Sequence, residues 1–178
     1  MIYAESQVRN EFPVEKTVTM EVRVEDMDGK TVKAYKSKAE KIGAGETKTL
    51  KAADKITGLH FWSWGYGYLY KVYTTLNIDN KPVDVVCTRT GFRKTRFDRG
   101  MFWLNDRVLQ IKGYAERTTN EWPAQGLSVP AWLSDYSNRM MVESNGNTVR
   151  WMHVTPWKQD VESCDRVGLM QLMPAGDS

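Results

Sequence analysis

The sequence has few of the residues on which common catalytic and metal sites depend. Its 178 residues include only two histidines and two cysteines. No Gly-x-Ser-x-Gly turn occurs, and neither histidine has a partner at metal-ligand spacing. Gly43-Ala44-Gly45 lies between two predicted strands, which indicates a turn and not a phosphate-binding loop. We therefore predict no serine triad, no metal site and no cofactor.

Long apolar runs and a basic-then-apolar leader are also missing. The apolar stretches are far shorter than the roughly 20 residues that span a bilayer, and the N-terminus lacks the pattern of a signal peptide. We expect neither a leader nor a membrane anchor in this chain. The compartment stays open, with a periplasmic or secreted parent protein included. Cys87 and Cys164 lie far apart in the sequence and are predicted to be free, partly buried thiols.

The charge is mildly positive, at +3, and one segment concentrates it. Five basic residues are interleaved there with Phe92 and Phe97, namely Arg89, Arg93, Lys94, Arg96 and Arg99. Such a mixture is compatible with nucleic-acid binding. We favour a structural interpretation, in which the arginines point outward from a strand and the phenylalanines point inward, and we predict no nucleic-acid partner.

The first half of the chain alternates apolar and polar residues with a period of two. Thr17–Glu25 shows this most clearly, and Asp28-Gly29 supplies the positive φ angles of a tight hairpin turn. Tyr68–Ile78 alternates again and leads into a turn at residues 80–82. This spacing predicts an antiparallel β-sandwich over residues 1–97.

From about Gly113 the rhythm changes to strand, helix, strand, helix, strand. We predict strands at residues 107–112, 148–154 and 169–173, and helices at residues 129–144 and 159–166. One apolar stripe of the first helix is predicted to pack against the sheet: Val129, Trp132, Leu133, Tyr136 and Met140. Residues 98–178 are therefore expected to form βα units with parallel strands.

An aromatic segment, Leu59–Tyr70, has two interpretations. Its tryptophans and tyrosines could form a platform for sugars, or they could fill a core. Because successive residues of a strand point to opposite faces, we favour the structural interpretation.

Several short motifs, in their order and spacing, resemble glycoside hydrolase family 2, which includes β-galactosidases, β-glucuronidases and β-mannosidases. The first set is Trp62-Ser63, Tyr68-Leu69-Tyr70, Arg89-Thr90-Gly91-Phe92-Arg93, Phe102-Trp103-Leu104-Asn105 and Lys112-Gly113. The second set is Val149-Arg150-Trp151-Met152-His153 and Cys164-Asp165-Arg166-Val167-Gly168-Leu169. The resemblance implies a mostly β chain, in which an immunoglobulin-like sandwich is followed by the first units of an incomplete (β/α)₈ barrel.

The resemblance also implies what this piece contributes. Family members use two glutamates, an acid/base and a nucleophile, and both are expected on later barrel strands, beyond Ser178. We therefore expect a fragment of a retaining glycosidase for β-linked glycosides that is inactive alone. Its expected partners are carbohydrate and the rest of the parent barrel, with self-association through open strand edges as a further possibility.

Four residues are predicted to contribute to the sugar subsite: Arg150, His153, Arg117 and Glu116. Arg150 and His153 carry over by motif, since relatives place an arginine beside the nucleophile and a histidine at sugar hydroxyls. Arg117 stands where relatives have a sugar-binding histidine, and Glu116, Glu121 and Asp177 follow predicted strand ends. The departure at Arg117 indicates a divergent subgroup. The alternative function is a non-catalytic carbohydrate-binding or interaction module built on the Trp62–Tyr70 aromatics.

Overall fold

The computed structural model describes residues 1–116, 129–152 and 155–174. The chain divides into two compact units. The first combines Met1–Leu59 with Tyr70–Thr90, and the second combines His60–Leu69 with Gly91–Ser178. The aromatic segment therefore belongs to the second unit, although it lies between two strands of the first.

The first unit consists of antiparallel strands in two sheets. A two-stranded sheet pairs β1 with β5, and a five-stranded sheet has the order β3-β2-β6-β7, with β4 pairing with β2. The strands are β1 (Ile2–Arg9), β2 (Lys16–Glu25), β3 (Thr31–Lys36), β4 (Glu40–Ile42), β5 (Thr47–Asp54), β6 (Tyr70–Ile78) and β7 (Lys81–Thr90).

The core of this unit follows the period-two pattern of the sequence. Alternate residues of β2 are buried, and they pack with residues of β4 and β5 in one cluster: Val18, Met20, Val22, Ile42, Leu50 and Ala52. This arrangement is consistent with the predicted antiparallel β-sandwich.

The turn between β6 and β7 uses Asp79 and Asn80, which have positive φ angles. This turn lies one residue before the turn predicted at residues 80–82. Cys87 and Cys164 are both free, and Cys87 is exposed rather than partly buried.

The second unit begins with a small antiparallel sheet of order β10-β9-β8, formed by β8 (Thr95–Asp98), β9 (Met101–Leu104) and β10 (Arg107–Val108). The strand predicted at residues 107–112 is wrong as a parallel strand, because only Arg107–Val108 is a strand and it pairs antiparallel with β9. The Leu109 amide donates to the Phe102 carbonyl and keeps the chain on this hairpin. The inward orientation predicted for Phe97 is also wrong, since its side chain is 82% exposed.

A parallel three-stranded sheet follows, with the order β11-β12-β13. Its strands are β11 (Gly113–Glu116), β12 (Thr148–Trp151) and β13 (Met170–Leu172), and the helices are α1 (Ala131–Glu143) and α2 (Lys158–Val167). The two predicted helices and the predicted parallel strand direction are thus present. The helix α2 ends at Gly168, whose φ of 80° is the left-handed conformation that glycine adopts without strain.

The apolar stripe predicted for α1 is only partly buried. Val129 and Leu133 of the predicted stripe are buried, but Trp132, Tyr136 and Met140 are exposed, and Met141 is buried instead. The helix lies between a sheet and a second helix, so it also buries Ser134 and Asn138, which donate to Asp160 and Ser163 of α2. The face of α1 that meets α2 is therefore partly polar, and the aromatic side chains of Trp132 and Tyr136 lie in solvent.

Neither helix in the described part of the chain is long and apolar enough to cross a membrane. The described residues also contain no group of three or more histidine, cysteine, aspartate or glutamate side chains that could hold a metal ion.

Candidate functional site

The parallel strands end level with one another in the second unit. Glu116 at the end of β11 pairs with Trp151 at the end of β12, and Arg150 pairs with Leu172 at the end of β13. We call these strand ends, with the connections that follow them, the carboxyl-end edge. In sheets covered by helices, this edge is where ligand sites are commonly built.

Arg150 lies on the face of the sheet away from the helices. Its strand neighbours Val149 and Trp151 are buried and pack with Met141, Cys164 and Leu169 on the helix side. Since successive residues of a strand point to opposite faces, Arg150 points to the other face, where it is exposed. We call this the open face of the sheet. The guanidinium of Arg150 offers several hydrogen-bond donors there.

Glu116 lies on the helix side instead. Its Oε1 accepts a hydrogen bond from the Ser137 hydroxyl of α1 at 3.1 Å, and its carbonyl accepts from the Met152 amide at 2.8 Å. Burial, followed by the charge of Glu116, raises the pKa of the Tyr114 phenol and of the Cys164 thiol. The structure therefore places Glu116 and Arg150 on opposite faces of the sheet.

The other predicted site residues, His153 and Arg117, lie outside the described residues, as do Glu121 and Asp177. Among the described strand residues, the open face carries Gly113, Ala115, Thr148, Arg150, Met170 and Leu172. None of these is a carboxylate, so this set alone does not include the carboxylate pair that glycoside hydrolysis uses.

A buried carboxylate joins the two helices beside this edge. Asp160 is 4% exposed. Its Oδ1 accepts from the Ser134 hydroxyl at 2.7 Å, and its Oδ2 accepts from the Trp157 amide at 3.2 Å. Burial raises the pKa of Asp160 above its usual value, although both hydrogen bonds oppose that shift. Sequence reasoning missed this residue, whose only signal was an aspartate in the first turn of a predicted helix.

The opposite ends of α1 and α2 are held by the aromatic segment at residues 60–69. The Trp62 indole donates to the Asp165 carbonyl in the last turn of α2, and the Trp64 indole donates to the Gly146 carbonyl just beyond α1, each at 2.7 Å. Carbonyls in the last turn of a helix lack partners within the helix, so the Trp62 indole satisfies the Asp165 carbonyl, and the Trp64 indole holds the loop that follows α1.

This contact is close enough to require glycine. A Cβ on Gly67 would lie 2.0 Å from the Arg166 carbonyl oxygen, and one on Gly168 would lie 2.6 Å from the Tyr66 amide nitrogen. Trp62 is 4% exposed. Its ring therefore has no free face for a sugar, which argues against the platform interpretation at this residue.

The family model for glycosyl hydrolases family 2 matches residues 2–93. A β-glucuronidase from Formosa agariphila is 30% identical over 174 residues, which are 97% of this chain and 18% of that protein. A β-galactosidase from Thermoanaerobacterium thermosulfurigenes is 25% identical over 154 residues, which are 86% of this chain and 21% of that protein.

A solved β-glucuronidase from glycoside hydrolase family 2 superposes with a TM-score of 0.86 and 28% sequence identity. The match covers 99% of this chain and 19% of the solved one. The chain thus spans about a fifth of the length of these relatives. With more than half of its residues matched by the family model, this chain belongs to glycoside hydrolase family 2.

Proposed function

We propose that this chain is the scaffold portion of a retaining β-glycosidase and that it contributes one side of the sugar subsite. Residues 1–97 form an immunoglobulin-like sandwich, and residues 98–178 form the first βα units of a (β/α)₈ barrel. The two catalytic glutamates lie on later strands of the parent enzyme. Membership of the family and the parallel order β11-β12-β13 support this proposal.

The exposed position of Arg150 carries the proposal. In a closed barrel the face away from the helices is the interior, and active sites form at the carboxyl ends of its strands. Arg150 lies on that face, one residue before the end of β12. Its guanidinium would orient a carboxylate or bind sugar oxygens through paired N–H groups.

The other predicted residues take roles around Arg150 in this proposal. His153 would contact sugar hydroxyls, and Arg117 would add a second cation after β11. Glu116 would act indirectly, by positioning the end of β11, because its carboxylate accepts a hydrogen bond from Ser137 on the helix side. The substrate is a β-linked glycoside, as the names of the related β-glucuronidases and β-galactosidases suggest.

The test compares the 178-residue chain with the parent protein on a panel of aryl β-glucuronides, β-galactosides and β-mannosides. We expect turnover by the parent alone. Hydrolysis by the short chain would contradict the proposal, since it would require a carboxylate pair within these residues. If neither protein is active, a non-catalytic binding role takes its place.

Arg150→Lys and Arg150→Ala in the parent test the subsite directly. Lysine keeps the charge but loses the planar set of donors, so both variants are expected to lose activity while retaining the melting temperature. Unchanged kcat/KM in Arg150→Ala would remove Arg150 from the site.

A further inference from the structure

The carboxyl-end edge carries large apolar side chains that the fold leaves in solvent. Trp132 lies in the first turn of α1 and is 65% exposed. Trp157 lies between β12 and α2 and is 49% exposed. Met173 follows β13 and is 46% exposed. Among the described residues, each of the three strands is thus followed by at least one exposed apolar side chain, and tryptophans lie after β11 and β12.

These side chains belong to the strand-end side of the helices. The chain direction of β11, α1 and β12 places the N-terminus of α1 beside the carboxyl-end edge, and the same holds for α2. Side chains on a helix lean toward its N-terminus. Trp132 and Trp157 therefore lie on the side of the carboxyl-end edge, where β12 ends one residue after Arg150, and not on the side that Trp62 and Trp64 occupy.

The backbone of Trp157 is fixed even though its indole is exposed. Its amide donates to the buried Asp160 carboxylate, and its carbonyl accepts from the amides of Asp160 and Val161 at 3.0 and 3.2 Å. Gln159 of the same helix donates to the Val129 carbonyl at the start of α1. The buried polar contacts between α1 and α2 thus hold both exposed tryptophans on rigid main chain.

Exposing indoles is unfavourable without a ligand, because apolar surface in water costs free energy. The flat apolar faces of a sugar ring stack on indole, and the polar edges of the sugar stay hydrated. A fixed tryptophan also loses little conformational entropy when it binds. The pattern fits a chain of sugars that continues beyond the ring held at Arg150.

From this placement we propose that Trp157 and Trp132 form an outer carbohydrate-binding rim, which stacks on sugar rings of a β-linked oligosaccharide beyond the bond that is cleaved. This inference rests on the proposed function and extends it from a simple glycoside to an oligosaccharide or polysaccharide substrate. In this arrangement the rim favours longer oligosaccharides, and Arg150 contacts the sugar ring at the bond that is cleaved.

The test uses the parent enzyme and two kinds of substrate. The first is the 4-nitrophenyl β-glycoside that the parent hydrolyses best in the panel, and the second is a β-linked tetrasaccharide of the same sugar. Trp157→Ala is expected to lower kcat/KM on the tetrasaccharide about tenfold, the scale of one lost stacking contact. Its kcat/KM on the nitrophenyl glycoside is expected to stay within about twofold.

Matched variants separate stacking from folding. Trp157→Phe keeps an aromatic face and is expected to retain most of the activity on the tetrasaccharide. Tyr136→Ala removes an exposed aromatic side chain one turn further from the edge on the same face of α1. It is expected to leave kcat/KM unchanged on both substrates. Trp132→Ala is expected to act in the same direction as Trp157→Ala.

The outcomes are distinct. A parent that cleaves no glycoside would overturn the proposed function, and the inference with it. A parent that cleaves both substrates, with Trp157→Ala affecting them equally, would keep the proposed function and overturn the rim. A fall in melting temperature that accompanies equal losses would assign Trp157 to packing against the rest of the parent chain.

Discussion

The two ends of the α1–α2 pair use tryptophan in opposite ways. At the C-terminal ends, Trp62 is buried and Trp62 and Trp64 donate to carbonyls at or just beyond the helix ends. At the N-terminal ends, Trp132 and Trp157 are exposed, and the Trp157 amide is held by the Asp160 carboxylate. The same residue type therefore stabilises the fold at one end and is available to a ligand at the other. The difference lies in whether the indole N–H has a partner and the ring a covering surface.

The largest expected effect is at Trp62. Trp62→Ala should destabilise the second unit by about 3–5 kcal/mol, because it leaves a cavity and an unpaired helix carbonyl. Trp62→Phe should cost less, since only the N–H donor and part of the ring are lost. Urea denaturation followed by tryptophan fluorescence reports on this unit, because the six tryptophans among the described residues all lie in it. Equal stability of wild type and Trp62→Ala would contradict the claim that Trp62 stabilises the fold.

A substitution at Gly67 tests how closely the aromatic segment packs against the last turn of α2. Gly67→Ala would place a methyl group against the Arg166 carbonyl and should cost about 1–3 kcal/mol through overpacking. Gly43→Ala is the control, because the only atoms near its Cβ belong to the flexible Glu46 side chain. The expectation is checked by melting temperature, and a Gly67→Ala protein as stable as Gly43→Ala would contradict it.

An ion pair between the helices gives a smaller, pH-dependent effect. Asp135 of α1 receives two hydrogen bonds from the Arg166 guanidinium, at 2.8 and 3.3 Å. Burial opposes ionisation of Asp135, but the hydrogen bonds from Arg166 and Ser163 and the nearby positive charges lower its pKa overall.

A carboxyl pKa that is lower in the folded state stabilises the protein above the unfolded value of 3.8, and this contribution is lost as the pH falls through the folded value. Asp135→Asn should therefore cost about 1 kcal/mol at pH 7. The difference from wild type should shrink below about pH 4. A difference that is constant between pH 7 and pH 3, measured by urea denaturation, would assign the effect to packing instead.

The smallest expected effect on stability is at the exposed tryptophans. Trp132→Ala and Trp157→Ala should each change the free energy of unfolding by less than about 0.5 kcal/mol, as is usual for exposed positions. The measurement is the same urea titration used for Trp62→Ala. A loss of several kcal/mol at either site would show that the two ends of the helix pair do not differ in the way described.

Much of the fold could be predicted from the sequence, because it depends on local periodicity. The strand at Lys16–Glu25 and both helices lie close to their predicted bounds, and their patterns of period 2 and 3.6 are set by neighbouring residues. The prediction for residues 107–112 was wrong because the same apolar residues suit a hairpin and a parallel strand, and the Leu109–Phe102 hydrogen bond decides between them.

The candidate site was less accessible to prediction. Arg150 could be identified from its motif, but the sequence did not place Glu116 on the opposite face of the sheet, because a face is defined by register with the neighbouring strand. The buried side of α1 was also partly misassigned. Ser134 and Asn138 are polar, and only their partners Asp160 and Ser163 on α2 make their burial favourable.

The sequence by itself determined most of the strands, both helices and the family, since these depend on local pattern and residue type. The tertiary structure decided which of the aromatic side chains are covered. Trp62 and Trp157 are chemically the same, and nothing within a few residues of either distinguishes a buried indole from an exposed one. The distinction comes from segments distant in the sequence, since the Asp165 carbonyl of α2 accepts from the Trp62 indole, whereas the Trp157 ring remains about half exposed.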